Sequence, residues 1–242
     1  MKRFIKKILI KTGIYEIREK RHSKKCSLLL QNIGEEALHA YFDVANELGI
    51  NFIPMFGTLL GIYRNHDFIK HDDDIDMILD IRYLSDDLLK ALSNHGFVFN
   101  SIFVASDFKG CQLPMKYKGL TCDIYFSYME GTKIAHIYLP LAIQNHDWAF
   151  SCSLNLFRCK DVKIPLSQEQ IPYKFRNMKL MIPQNTDEIL ASLYGKDFMI
   201  PKKNAHADPL VFQDPLYAKS FRKLPMEFFK ESAFFEQILK SF

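Results

Sequence analysis

Within nine residues, Asp72-Asp73-Asp74-Ile75-Asp76-Met77-Ile78-Leu79-Asp80, the chain places five carboxylates and then becomes apolar. In an extended strand successive side chains alternate faces, so Asp72, Asp74 and Asp76 project from one side and Asp73, Ile75 and Met77 from the other. Two carboxylates two residues apart can share one cation. Hard oxygen ligands of this kind suit magnesium or manganese, which keep several waters and commonly bridge to substrate phosphates. Carboxylates embedded beside Ile75, Met77, Ile78 and Leu79 are expensive without a partner, which favours a bound cation over a solvated charge run. A calcium loop opens with the same D-x-D-x-D, but its sixth position would be Met77 where Gly is needed and its twelfth Tyr83 where Glu is needed. That reading fails.

A further acid, Asp123, lies in Cys122–Tyr128, a segment otherwise apolar and aromatic. If its strand lies beside the one holding Asp74 and Asp76, Asp123 either completes a metal cluster or acts as general base toward an attacking hydroxyl. The bland alternative is an ion pair with Lys116 or Lys118. Upstream, Gly57-Thr58 opens a short apolar segment, Leu59 to Arg64, that can turn into helix. A strand, a small-residue turn and a helix start present free N–H groups to a phosphate. Arg64, between that turn and the acidic run, offers a guanidinium fork matched to phosphate oxygens, or a partner for Asp72. Lys70 is a further cation for the phosphates, and Asp72 stands beside the metal acids as a supporting residue. His66 and His71 flank the same loop and read as polar loop residues.

The elements that must position these groups follow from periodicity. Leu38, Tyr41, Phe42, Ala45 and Leu48 recur every three or four residues and Gly49 follows, which predicts a helix from Glu35. Ile50 to Phe56 reads as a buried strand, and Ser85 caps a helix through Leu88, Leu89 and Leu92 to Gly96. Phe97–Val104, Gln112–Tyr117, Thr121–Tyr128 and Lys133–Leu139 read as strands in succession, and Phe175–Ile182 as another. Thr186–Tyr194 reads as a capped helix stopped by Gly195, and Pro201–Pro215 as loop. Gln144–Pro172 has no clear pattern. The terminal stretch with Phe228, Phe229, Phe234, Phe235, Ile238, Leu239 and Phe242 is amphipathic at helical spacing and is expected to pack on the domain.

The expected organisation is a basic arm over residues 1–30, a catalytic domain over 31–205, and a loop and helix over 206–242. Hydrophobic residues at 48% and charged residues at 25% of 242 are ordinary for a folded globular chain. The net charge is +4, yet residues 1–25 hold seven Lys, three Arg and two Glu, leaving a net −4 on the rest. Such a body disfavours nucleic acid as a partner. The arm, residues 2–25, reads either as an interfacial helix on an anionic membrane surface or as a solvated basic helix. No apolar run approaches membrane-spanning length. Five cysteines without a CxxC pair and no secretion signal point to a reducing cytoplasm. Cys152, Cys159 and His146 match no common zinc spacing.

Gly57-Thr58-Leu59-Leu60-Gly61-Ile62-Tyr63-Arg64, followed by Asp73-Asp74-Ile75-Asp76, closely resembles the signature of the LicD and fukutin family of nucleotidyltransferase-fold enzymes. Cys122-Asp123-Ile124-Tyr125-Phe126-Ser127-Tyr128 is similar to the family's later strand carrying a third Asp. Phe175 to Pro183 and Tyr194 to Pro201 resemble its C-terminal block, and Lys70 and His71 stand where the family usually has Pro-Trp. The resemblance implies an α+β fold, a nucleotidyltransferase-like mixed sheet flanked by helices. It also implies metal binding by Asp74, Asp76 and Asp123, and transfer of a phosphorylated alcohol from a CDP-activated donor to a hydroxyl of a cell-surface glycan, lipid-linked in some cases. Phosphocholine, ribitol phosphate and glycerol phosphate are the candidates. Capsule, lipopolysaccharide or teichoic-type glycans on the cytoplasmic side are the setting this suggests. Two alternatives remain at this level: a nucleotidyltransferase that releases pyrophosphate from a nucleoside triphosphate, and a non-catalytic adaptor at a membrane surface.

Overall fold

A computed structural model describes residues 14–144, 146–201, 220–230 and 235–236, with side chains described from Ser23 onward. The first element, α1 (Ile14–Leu48), is one continuous 35-residue helix. It therefore runs through the expected boundary between a basic arm and the domain at residue 30. Its buried face carries Leu30, Ala37, Leu38, Tyr41 and Val44, and Gly49 ends it at φ +65°, where a left-handed C-terminal residue belongs. Residues 2–13 of the arm lie outside the described residues.

The strand expected over 50–56 is only β1 (Ile53–Pro54), because the chain reverses at Phe56 to begin α2 (Phe56–Asn65). The acidic run becomes β2 (Asp74–Asp80), and a short 3-10 turn leads to α3 (Asp86–Asn94), capped by the Ser85 hydroxyl accepting from Leu88 N–H. The segment 97–104 breaks into β3 (Phe97–Val98) and β4 (Ser101–Ala105). β5 (Cys111–Tyr117), β6 (Leu120–Glu130) and β7 (Ile134–Leu141) follow near their expected places. The stretch without clear pattern contains α4 (Trp148–Leu154), β8 (Phe157–Pro165) and the start of β9 (Gln170–Phe175). β9 pairs with β10 (Met178–Pro183) in a separate hairpin, and α5 (Thr186–Tyr194) ends before Gly195 as expected.

The expected loop at 201–215 falls, apart from Pro201, outside the described residues. Beyond it, within the segment expected to be loop and helix, Ser220–Pro225 forms a further strand, β11, ahead of the short α6 (Met226–Lys230). Phe229 and Phe235 are buried against each other, while Phe228 is exposed; Phe234, Ile238, Leu239 and Phe242 lie outside the described residues.

Mixed α and β content around a sheet is as expected, but the sheet is not an open one. Nine strands run β1-β2-β6-β7-β8-β11-β4-β5-β3, and β5 also pairs with β6. β6, β7, β8, β11, β4 and β5 therefore close on themselves as an antiparallel ring. β2 joins the outside of β6 in parallel, and β1 edges β2. β11 is what completes the ring: it pairs with β4 over five residues and with β8 over two. Closure gives each ring strand neighbours on both sides and leaves the short β1 and β3 as the edges of the sheet. The main core joins α1, α2, α3 and α5 to the sheet, and a smaller one gathers Phe103, Ala105, Tyr138, Phe157 and Phe221.

Candidate active site

The parallel pair β2/β6 sets the geometry. In its register Asp74 lies opposite Thr121 and Asp76 opposite Asp123, so the three acids share one face of two adjacent strands. One carboxylate oxygen from each of Asp74, Asp76 and Asp123 lies within 4.8 Å of the others, and Asp72, Asp73 and Asp74 form a second such group. Asp76 and Asp123 are 8% and 6% exposed, so their charges are withheld from water. Oδ1 of Asp76 and Oδ1 of Asp123 are buried without a hydrogen-bond partner, as is the hydroxyl of nearby Tyr41.

The electrostatics follow from that burial. Desolvation pushes the Asp74 carboxyl up to about 8, with repulsion from Asp72, Asp123 and Asp73 adding to it and Lys116 opposing. Asp76 is driven well above the usual carboxylate range by burial and then by Asp74 and Asp123. Burial raises Asp123 to about 6 against the opposing hydrogen bond from Gln112 and the charge of Lys116. A carboxylate trio this costly is one that a bound cation would relieve. Unpartnered hard oxygens converging from two strands fit magnesium or manganese, and no thiol or imidazole intrudes to favour a softer metal. The ion pairs considered for Asp123 do not form: Lys116 donates to Thr121 Oγ1 at 2.6 Å, and Lys118 pairs with Glu36.

The Gly57-Thr58-Leu59-Leu60-Gly61 segment is built around the acidic strand. Phe56 at φ +49° makes the sharp reversal out of β1, and its ring meets Tyr125 edge-on at 5.4 Å. Asp76 is then clamped through its backbone: its N–H donates to Thr58 Oγ1 at 3.0 Å and its carbonyl accepts from Met55 N–H at 3.0 Å. A Cβ on Gly57 would stand 2.4 Å from Asp72 Oδ2, and one on Gly61 would stand 2.7 Å from the Asp67 carbonyl. The first glycine thus admits the Asp72 carboxylate to the start of α2, where the helix dipole favours negative charge. The second admits the backbone that leads into β2. Asp72 is raised to about 6 by burial, its backbone partner Asp73 opposing.

Arg64 does not pair with Asp72. Its Nη1 donates to the Phe198 carbonyl at 3.3 Å and its Nε to Asn65 Oδ1 at 3.3 Å. It lines a small hollow with His71, Tyr194 and Phe198. Lys70 is exposed in the turn before β2, and His66, the left-handed end of α2, stands by the Lys174 carbonyl. Tyr194 links the two regions: burial raises its phenol, Asp76, Asp72 and Asp74 raise it further, and Arg64 works against them. Periodicity alone marks Tyr194 as the last residue of a helix, and Gln112 and Lys116 as ordinary strand residues. Only the pairing of β5 with β6 brings the latter two beside Asp123.

Among the described residues no helix is long and apolar enough to cross a membrane. Comparison with known proteins matches residues 49–185 to the family described as LicD/FKTN/FKRP, nucleotidyltransferase domain. The ribitol-5-phosphate transferase FKTN of Macaca fascicularis is 24% identical over 183 residues, which are 73% of this chain and 35% of that protein. The chain thus spans about a third of the length of that relative. The matched region contains α2, the acidic strand, β6 with Asp123 and every strand between them, and on that ground the chain belongs to the LicD/FKTN/FKRP family.

Proposed function

We propose that this protein transfers a phosphorylated alcohol, of the ribitol phosphate type, from a CDP-activated donor to a hydroxyl of a glycan. The observation that carries this reading is the trio Asp74, Asp76 and Asp123, buried and convergent with two carboxylate oxygens left unpartnered, in a chain of this family. Asp74 and Asp76 would hold a magnesium or manganese ion, which when bound supplies the positive charge that a donor diphosphate needs, and of the two roles open to Asp123 the proton acceptor is the one assigned to it here.

The chain's own residues then orient and move protons. Thr58 and Met55 fix the backbone of Asp76, and with it the place of the diphosphate. Because Asp72 stands at the start of α2 beside Gly57, the phosphates are assigned to Arg64 and Lys70 as their cations. The acceptor oxygen forms a bond to the phosphorus that bears the alcohol. The bond from that phosphorus to the bridging oxygen breaks, and CMP departs with its electron pair. Asp123 takes the acceptor proton. Positioning and charge neutralisation supply most of the rate in transfers of this kind.

The relative's printed name supports ribitol phosphate as the group transferred. The basic residues of 2–25 are assigned to an anionic membrane surface, which would bring a lipid-linked acceptor to a protein on the cytoplasmic face. Loss of sedimentation with anionic liposomes on deleting residues 1–25 is the expected result; unchanged sedimentation rejects that part. The main test is calorimetry with magnesium against CDP-ribitol, CDP-glycerol, CDP-choline, CDP-ethanolamine, CTP and CMP. Metal-dependent preference for one CDP-alcohol, lost in Asp74→Asn, is expected; preference for CTP would move the reaction to nucleotidyl transfer with release of pyrophosphate.

A further inference from the structure

Asp123 belongs to two places at once. It faces Asp74 and Asp76, and it also lines a cleft of about 450 Å³, well within the size of small-molecule sites. The cleft divides by chemistry: Gln112, Thr121, Asp123 and Lys223 are polar, and Phe103 and Trp148 are broad aromatics. Trp148 is the only tryptophan of the chain and is 45% exposed. Its ring is backed by Phe157 at 4.7 Å and Phe103 at 5.8 Å between centroids, and these two phenyls meet edge-on at 5.0 Å. Asp147 starts the helix that carries it by accepting from Phe150 N–H at 2.8 Å. A large ring fixed from behind and left open in front does more for a ligand than for the core.

The chemistry of the occupant follows from three features. An aromatic platform beside amide, hydroxyl, carboxylate and ammonium groups matches a molecule with an apolar face and a hydroxylated edge, which describes a pyranose ring. Lys223, whose ammonium lies 5.5 Å from the Phe103 centroid, and Asp123 give the lining one charged group of each sign, so the cleft as a whole suits a neutral ligand better than a diphosphate. It also shares no lining residue with the hollow of Arg64 and Tyr194.

We propose that this cleft is the acceptor-sugar subsite, with Trp148 as the platform under the pyranose ring and Asp123 facing the hydroxyl that attacks. The proposal rests on the phosphoalcohol-transfer reading for its donor, but its test does not. Fluorescence of the magnesium-loaded protein, excited at the red edge of tryptophan absorption where its tyrosines do not absorb, reads Trp148 alone. It would be titrated with methyl glycosides of neutral hexoses and N-acetylhexosamines, and separately with CMP. Saturable quenching or a blue shift with at least one glycoside, and none with CMP, is the expected result. Trp148→Ala should weaken that glycoside at least tenfold by calorimetry, while the same method gives a CDP-ribitol affinity within twofold of wild type. Response to CMP and not to glycosides would make the cleft a nucleoside site and overturn the proposal; silence with every probe would overturn it as well. Glycoside binding without binding of any CDP-alcohol would instead keep the subsite and reject the donor reading.

Discussion

β6 carries two acids seven residues apart, Asp123 and Glu130, and they lead opposite lives. Around Asp123 three carboxylates converge, opposed only by the charge of Lys116 among the described residues, and two of their oxygens have no hydrogen-bond partner there. At the far end, His136 is 4% exposed and sandwiched: its Nδ1 meets Asp161 and its Nε2 meets Glu130, each at 2.9 Å, and its ring stacks on Tyr128 at 4.5 Å. Lys163 adds a further charge beside Glu130. Both clusters sit on the same strand, and both take ionisable groups out of water. One is internally complete and holds strands together; the other is complete only with something from outside. Burial of charge is therefore no mark of function by itself, and the missing partner is.

The widest separation between the two clusters should come from removing one acid of the first. Asp76→Asn or Asp123→Asn should lower turnover about 10³-fold or more. Each should also raise the melting temperature of the metal-free protein, because like-charge repulsion and desolvation are relieved. Near wild-type turnover in a folded Asp76→Asn protein would end the comparison. Thr58→Val, which deletes the hydroxyl holding the Asp76 backbone but touches no carboxylate, should weaken magnesium binding by about 10–100-fold, measured by calorimetry. An unchanged affinity would mean that Met55 and the sheet suffice to place Asp76.

His136→Ala should behave in the reverse sense. Leaving the partly buried Asp161 without its partner should cost about 1–3 kcal/mol, seen in denaturant unfolding, with the magnesium affinity unmoved. Should magnesium affinity fall too, the two ends of β6 are coupled and the contrast drawn here is too sharp. The smallest effect is that of pH on the metal-free protein. Asp72, Asp74 and Asp123 have folded values of about 6, 8 and 6, above the unfolded carboxylate value of about 3.9. Between those limits the folded state binds more protons than the unfolded one, so stability is greatest at low pH and is lost as pH rises through 6 and then 8. The melting temperature should drop by about 3–10 °C from pH 5 to pH 8, and millimolar magnesium should flatten the slope. A profile that rises with pH would contradict the cluster's electrostatics.

The acids of this site were legible because alternation in a strand is a rigid rule: Asp74 and Asp76 had to share a face wherever that strand lay. That Asp123 would sit opposite Asp76 was conditional on strand adjacency, which no local pattern supplies. Thr58 read as a phosphate ligand by its place in a small-residue turn; that its hydroxyl also accepts from the Asp76 backbone was not legible, since residues 18 positions apart meet only in the fold. Arg64 read as a free fork, and its contact with the Phe198 carbonyl depends on a chain reversal far downstream. β11 was missed for a related reason. Ser-Phe-Arg-Lys-Leu-Pro has weak alternation and gains its strand character from the two neighbours that flank it.

That late strand has a temporal meaning. During synthesis from the N-terminus, both acid-bearing strands and the helix against them leave the ribosome well before Ser220–Pro225 exists, so the metal-binding face has its pieces early. The ring cannot close, and Lys223 cannot reach Phe103, until β11 slides between β4 and β8. Non-local pairings of this kind are slow to form. On the reading proposed above, the face assigned to the cation would be assembled before the cleft assigned to the sugar, and competence for transfer would arrive as one of the last events of folding.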